Sequence, residues 1–257
     1  MRLRSLALLL AVAAACATPA RPPADDTPDV DLTPLRSRLY IAEDRFCVQE
    51  NSMVYVGDAY VTVIGATWTP DTARQLHARI RAITPLPVRD VILTNYHPDR
   101  AGGTAYWLGL GADVLATPRT LRLLELHWDR IVGDVRATYP QYPSLPLARP
   151  TRVLPDGFAV QNGAVRTLYL GPSHTDDGLF VYFPEQRVLY GGCILKEQLG
   201  NLDSANLSEY PRTLRRLVDL RLPTDVIVSG HWSPVHGTEL IDTYLRLLAE
   251  HAAAAPR

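Results

Sequence analysis

Between Asn95 and Gly103 the chain sets an imidazole and a carboxylate two residues apart, in the run Asn95-Tyr96-His97-Pro98-Asp99-Arg100-Ala101-Gly102-Gly103. Such a pair can ligate a metal ion or pass a proton. Pro98 fixes its own φ and biases His97 away from the helical region, so the loop is stiff where the polar groups lie. Alone, the run also describes a turn whose Asp caps the next helix. Three other segments weigh against that simpler reading. Val165 to Leu170 leads into Gly171-Pro172-Ser173-His174, Val188-Leu189-Tyr190 into Gly191-Gly192-Cys193, and Val226 to Ser229 into Gly230-His231. His97 and Asp99 likewise follow Val91-Ile92-Leu93. One device therefore occurs four times: a strand, small residues, then a metal-type ligand. Loops at one edge of a scaffold are where sites are assembled.

Strands and helices must carry these turns. From Ser37 to Ala66, short β-branched and aromatic runs (Leu39–Ile41, Phe46–Val48, Met53–Val56, Tyr60–Ile64) alternate with Asn, Gly and Asp, predicting antiparallel strands. Thr69 and Pro70 predict an N-cap and first helical position, followed by Ala73, Leu76, Ile80 and Ile83 at helical spacing. A strand from Val88, a helix from about Gly103, a strand from Ala112 to Ala116 and a helix from Pro118 to about Ala137 complete a first half, 37–138. Pro140, Pro143, Pro146 and Pro150 mark a connector. The second half, 151–250, repeats the grammar. Hairpin strands at Arg152–Leu154, Phe158–Val160 and Val165–Leu170 turn at Asn162-Gly163. Strands Leu179–Phe183 and Arg187–Tyr190, a helix near Leu207–Leu220, a strand at Asp225–Ser229 and a last helix from about Thr238 follow. Two such halves can pack sheet against sheet with helices outside, as one domain over 37–257.

Composition narrows the function. With 257 residues, 47% hydrophobic, the chain can bury a large core, and a net charge of −1 argues against nucleic acid as a partner. Arg2, Arg4 and the apolar run Ser5 to Ala15 read as an export signal, residues 1–17, too short to span a bilayer. Cleavage after Ala17 gives a periplasmic protein; a lipid-anchored alternative would use Cys16. Residues 18–36, rich in Pro, Ala, Asp and Thr, are expected to be a leader with little structure. Cys47 and Cys193 would remain, and in an oxidising compartment a disulfide is the simplest expectation for two thiols.

These motifs, with Gly191-Gly192-Cys193-Ile194-Leu195-Lys196 and Leu199-Gly200-Asn201-Leu202, closely resemble those of the metallo-β-lactamases, and among them the mono-zinc, carbapenem-selective subclass. The resemblance spans roughly residues 38–250. Asn95 stands where the wider family carries the first histidine of a His-x-His-x-Asp loop, which marks that subclass. What the resemblance implies is a four-layer αβ/βα sandwich, a monomer, a small β-lactam substrate and one functional Zn²⁺ held by Asp99, Cys193 and His231. Zinc accepts carboxylate, thiolate and imidazole together and keeps an open position in catalytic sites. A thiolate committed to zinc cannot pair with Cys47. The second metal position, left with His97 and His174 beside Asn95, is expected to be weak or inhibitory.

The same resemblance gives His97 the role of base with His174 as its polar neighbour, Asp99 a share in orienting the water, and Lys196 the substrate carboxylate. Asn201 and Asn95 are expected beside the substrate, although a loop asparagine capping a turn is the rival for Asn201. Lys196 is the sole lysine among 26 Lys and Arg side chains, and an ammonium differs from a planar fork. The remaining histidines, His77, His127, His236 and His251, stand outside the set, and the four tryptophans read as packing residues, with Trp68 a candidate for lining the pocket. Pro98 replaces a common Thr, and Trp232 follows His231 where a small acidic residue is usual, so a bulky ring sits next to a ligand. Two other functions fit the same residues. One is a lactonase or thioester hydrolase, which generally needs two metals and the histidine that Asn95 replaces. The other is a zinc-binding periplasmic protein without catalysis, to which Lys196 and the uncommitted His97 and His174 are ill suited.

Overall fold

Neighbouring residues of one strand feed different cores in this protein. A computed structural model describes residues 29–254; the export signal, Cys16 and most of the leader lie outside the described residues. Strands β1 (Val30–Arg36), β2 (Leu39–Asp44), β3 (Glu50–Val56), β4 (Val61–Ile64), β5 (Val88–Ile92), β6 (Asp113–Ala116) and β7 (Arg152–Val153) form one sheet in that order. Strands β8 (Ala159–Val160), β9 (Val165–Leu168), β10 (Phe180–Phe183), β11 (Val188–Gly192), β12 (Val226–Ser229) and β13 (Val235–His236) form the second, ordered 13-12-11-10-9-8.

Because side chains alternate across a strand, Ile41, Met53, Tyr55, Ile64, Ile92 and Leu115 face the second sheet, where they meet Leu179, Val181, Phe183, Val188 and Val228. Their neighbours Ala42, Val54, Val63, Val91 and Val114 face helices α1 (Pro70–Ile83), α3 (Thr104–Gly109) and α4 (Pro118–Thr138) through Leu76, Ile80, Trp107, Leu124 and Trp128. Leu189 and Ile227 of the second sheet face α5 (Tyr210–Asp219) and α6 (Glu239–Ala254) through Leu214, Leu217, Leu240 and Tyr244. The result is helix, sheet, sheet, helix: the expected four-layer sandwich. Each fully buried Leu, Ile, Val or Phe contributes about 1.5–3 kcal/mol, so three such cores supply the bulk of the folding free energy.

The expected α1 forms with its cap, Thr69 Oγ1 accepting from the Thr72 amide. Four expectations need correction. Val30–Arg36, inside the segment expected to lack structure, pairs with β2 as an edge strand from Val30↔Asp44 to Arg36↔Leu39. Phe46-Cys47-Val48 is a loop, because Asp44 ends the strand by accepting the Phe46 amide and, across the loop, that of Trp68. Arg152–Val153 joins the first sheet parallel to β6, so the second half begins beyond it. The segment after His97 is one helical turn, α2 (Pro98–Ala101), rather than open loop.

β5, β11 and β12 run parallel to their neighbours β4, β6 or each other, and β9 runs with β11 through the antiparallel β10. The carboxyl ends of β9, β11 and β12 therefore meet at one edge of their sheet. The sheets are tied there by the Asn51 amide donating to the Gly230 carbonyl at 2.9 Å, next to a Glu50–His231 bridge.

Candidate metal centre

Pro98 opens α2 at its first position, with His97 extended before it (φ −70°, ψ 151°). Asp99 therefore lies in the first helical turn, where a carboxylate is favoured. The Asn95 side-chain oxygen accepts the His97 amide at 2.9 Å and fixes the approach. Gly102 closes it: a Cβ there would overlap the Trp68 carbonyl oxygen. At the other strands small residues serve the same end. A Cβ at Gly230 would collide with the Gly192 carbonyl, so only glycine lets the chain before His231 lie against the peptide before Cys193.

Asp99, Cys193 and His231 converge, their ligand atoms all within 4.8 Å of one another. Cys193 Sγ lies 3.1 Å from Asp99 Oδ2 and 3.7 Å from His231 Nε2, and Nε2 lies 3.3 Å from Oδ2. Tetrahedral ligands on zinc at bond lengths near 2.0–2.3 Å stand roughly 3.3–3.8 Å apart; two of the three separations fall in that range and the Cys193–Asp99 one is slightly shorter, so the donor set fits that ion in chemistry and comes close in spacing. His231 Nδ1 is 2.9 Å from the Gln49 carbonyl oxygen. A carbonyl only accepts, so Nδ1 carries the proton and Nε2 offers its lone pair to the centre.

Arg100 lies behind these ligands with no solvent exposure. Its Nε is 3.1 Å from Cys193 Sγ and 3.1 Å from Asp99 Oδ2, and its Nη2 donates to the Gly230 carbonyl at 2.7 Å. Nη1 donates to Glu50, to the Asn51 carbonyl at 2.9 Å and to the Tyr190 hydroxyl at 2.8 Å. Burial works against the Asp99 charge, but Arg100 and His231 outweigh it and hold the carboxyl well below the usual range. Burial pushes the Cys193 thiol up to about 11 against the pull of Arg100; a divalent cation reverses that, since a coordinating thiol is deprotonated outright.

His97 and His174 face each other edge to face, ring centroids 5.1 Å apart. His97 Nε2 is buried without a hydrogen-bond partner. Burial, aided by Lys196, lowers His97 to about 4 and His174 well below the usual value, so both are neutral imidazoles. Lys196 is 2% exposed, its Nζ 3.5 Å from His174 Nδ1, which rules out the ordinary solvated lysine. Burial lowers it to about 8.

One expected residue stands differently. Asn201 is exposed, and its amide closes a turn by accepting the Asp203 amide at 2.7 Å and donating to the Asp203 carboxylate at 3.1 Å, the rival reading of that side chain. Asn95 is 2% exposed, and its side-chain oxygen accepts the His97 amide. Cys47 and Cys193 are both free. His77 bonds Tyr106, and His236 bonds the Ser233 carbonyl, so neither joins the centre. Trp68 is a core residue whose Nε1 donates to the Val48 carbonyl.

The sequence reading gave no role to Arg100, Gln49, Glu50 or Asn51. Arg100 lies beside Asp99 in the motif, but one arginine among many carries no local signal of burial. Gln49 and the β3 residues Glu50 and Asn51 have none at all: their partners are some 50 to 180 positions away.

Two facing sheets with an Asp–Cys–His group at their strand ends form a scaffold with a candidate metal centre. A profile of the Metallo-beta-lactamase superfamily matches residues 45–231, and the chain belongs to that superfamily. Its fold implies a metal, usually zinc. The metallo-beta-lactamase IND-1 of Chryseobacterium indologenes is 29% identical over 185 residues, 70% of this chain and 71% of its own length. Similar solved structures share the fold. VMB-1 has a TM-score of 0.76 at 23% identity, covering 88% of this chain and 99% of its own. A metallo-beta-lactamase from Erythrobacter litoralis has 0.74 at 23%, covering 86% and 97%.

Proposed function

We propose that this protein hydrolyses the β-lactam ring with one functional zinc ion, prefers carbapenems and acts in the periplasm after removal of residues 1–17. The observation that carries the reading is Asn95. Its side-chain oxygen is bonded to the His97 amide, so the position beside His97 and His174 lacks the third ligand a second metal needs. Asp99, Cys193 and His231 meanwhile supply a complete set for the first.

Zinc, when bound, supplies Lewis-acid stabilisation of negative charge developing on the departing ring nitrogen. For the attack that precedes this departure His97 acts as base, its unpartnered Nε2 taking the proton of the water. His174 stands edge-on to His97 and holds it within the pocket. Asp99 orients the water as well as ligating. Lys196 holds the substrate carboxylate in a buried position, where a charge-assisted contact is strong. The test is purified protein carrying one zinc per chain, offered a carbapenem, a penicillin and a lactone. Rapid carbapenem opening with weak penicillin turnover is expected; no carbapenem opening overturns the reading, and lactone opening alone points to another hydrolase of this scaffold.

A further inference from the structure

Trp232 follows His231 with φ +58°, in the left-handed region that bulky side chains rarely adopt. The surroundings hold it there. Its carbonyl accepts from Gln49 Nε2 at 2.9 Å and from Asn51 Nδ2 at 3.0 Å. Ser229 Oγ lies within hydrogen-bond range of the carbonyls on either side, 2.9 Å from that of His231 and 2.7 Å from that of Ser233. A glycine or asparagine would meet this backbone demand with less strain. The indole is therefore not what the turn requires.

Its placement indicates another role. Trp68, Trp107 and Trp128 are buried in the first core, whereas Trp232 is only partly buried and belongs to no core cluster. The ring centroid lies 5.8 Å from that of His231. Its far edge reaches the loop after Lys196: a Cβ at Gly200 would stand 3.2 Å from Trp232 Cη2 and 3.5 Å from Lys196 Nζ. Gly200 itself has φ +63° and carries no side chain to hold the ring off. The indole thus runs from a centre ligand to the glycine beside the ammonium.

We propose that Trp232 is a specificity-determining residue, an aromatic wall along one side of the slot between His231 and Lys196. This rests on the function proposed above, in which a substrate spans those two groups. A compact ring system passes along a flat indole, whereas a molecule with a bulky substituent meets it. The wall therefore discriminates against β-lactams with large acylamino groups and admits those with a small hydroxyalkyl group.

Trp232→Asn suits the left-handed backbone and removes the wall; Trp232→Phe keeps a flat ring. Both are compared with the native zinc-loaded protein in two ways. Calorimetry measures binding of a compact thiol carboxylate, mercaptoacetate, and of one bearing a naphthyl group. Steady-state kinetics compares a carbapenem with benzylpenicillin. In Trp232→Asn the preference for compact over bulky molecules is expected to fall at least tenfold in both measurements, with zinc affinity within twofold of native and Trp232→Phe within threefold of the native preference. Equal changes for compact and bulky thiols, or loss of zinc from Trp232→Asn, overturn the wall. Absence of any β-lactam opening by the native protein overturns the proposed hydrolysis instead, and the thiol discrimination then decides the wall by itself.

Discussion

Arg100 Nε stands 3.1 Å from Cys193 Sγ, joining two residues 93 positions apart by a contact that no solvent reaches. The same guanidinium touches Asp99 and the Gly230 carbonyl, so one cation braces the segments that carry all three candidate ligands. Glu50, itself fully buried, holds the other end of the fork. Burial raises the Glu50 carboxyl well above its usual range against the pull of Arg100, so the contact is a buried hydrogen bond from a charged donor, and losing such a bond costs about 1.5–3 kcal/mol. Glu50→Gln is expected to lower unfolding free energy in urea by that order. Arg100→Lys, which cannot reproduce the fork, should weaken zinc binding at least tenfold in chelator competition. Native-like values for both would remove the brace from the account.

The two free cysteines make a direct contrast. Cys193→Ser should strip tight zinc binding, because a hydroxyl replaces the only sulfur donor of the group. Cys47→Ser should leave zinc affinity unchanged. Zinc retained at native affinity by Cys193→Ser would show the ligand set to be wrong.

Lys196→Ala is expected to raise the Michaelis constant for a carbapenem roughly 10- to 100-fold, the worth of about 1.5–3 kcal/mol for a hydrogen bond to a charged group. Turnover number should change far less. Lys196→Arg should not restore the native value, since a planar fork cannot occupy the niche of a buried ammonium beside His174. A fall confined to turnover number would place Lys196 in the chemical step.

Asp44 gives a pH dependence unconnected with the metal. Burial raises its carboxyl to about 6 from an ordinary value of 3.8, despite the Phe46 and Trp68 amides that it accepts. The folded protein therefore holds this proton through a range where the unfolded chain has lost it. Stability drawn from that difference is present below about pH 4 and is lost as pH rises through about 6. The size is up to about 3 kcal/mol. Urea unfolding between pH 4 and 7 should show native protein losing stability relative to Asp44→Asn as pH rises; a constant gap would refute the assignment.

Gly102 is closed to any side chain, because its Cβ would overlap the Trp68 carbonyl oxygen, a backbone atom that cannot swing aside. Gly102→Ala is expected to cost at least about 2 kcal/mol, with a lower thermal midpoint. Unaltered stability would mean that the turn after Asp99 relaxes freely.

Local chemistry along the chain determined the strand-turn-ligand device and the capped first helix, and the resemblance those motifs carry implied the candidate ligands Asp99, Cys193 and His231. Each of those depends on neighbours within a few positions: periodicity, a proline, a glycine before the ligand. Tertiary structure decided what the sequence had assigned otherwise. Val30–Arg36 became a strand because β2 offered it an edge, and Phe46–Val48 became a loop because the Asp44 carboxylate captured amides from two segments. Asn95 and Asn201 each accept a backbone amide two positions on, and Asn201 stays exposed. The brace of Arg100 and Glu50, the Gln49 carbonyl that orients His231 and the reach of Trp232 to Gly200 exist only once two sheets meet. Their residues carry no local mark, because a buried charge or a strained tryptophan is defined by what surrounds it, and those surroundings come from strands far apart in the chain.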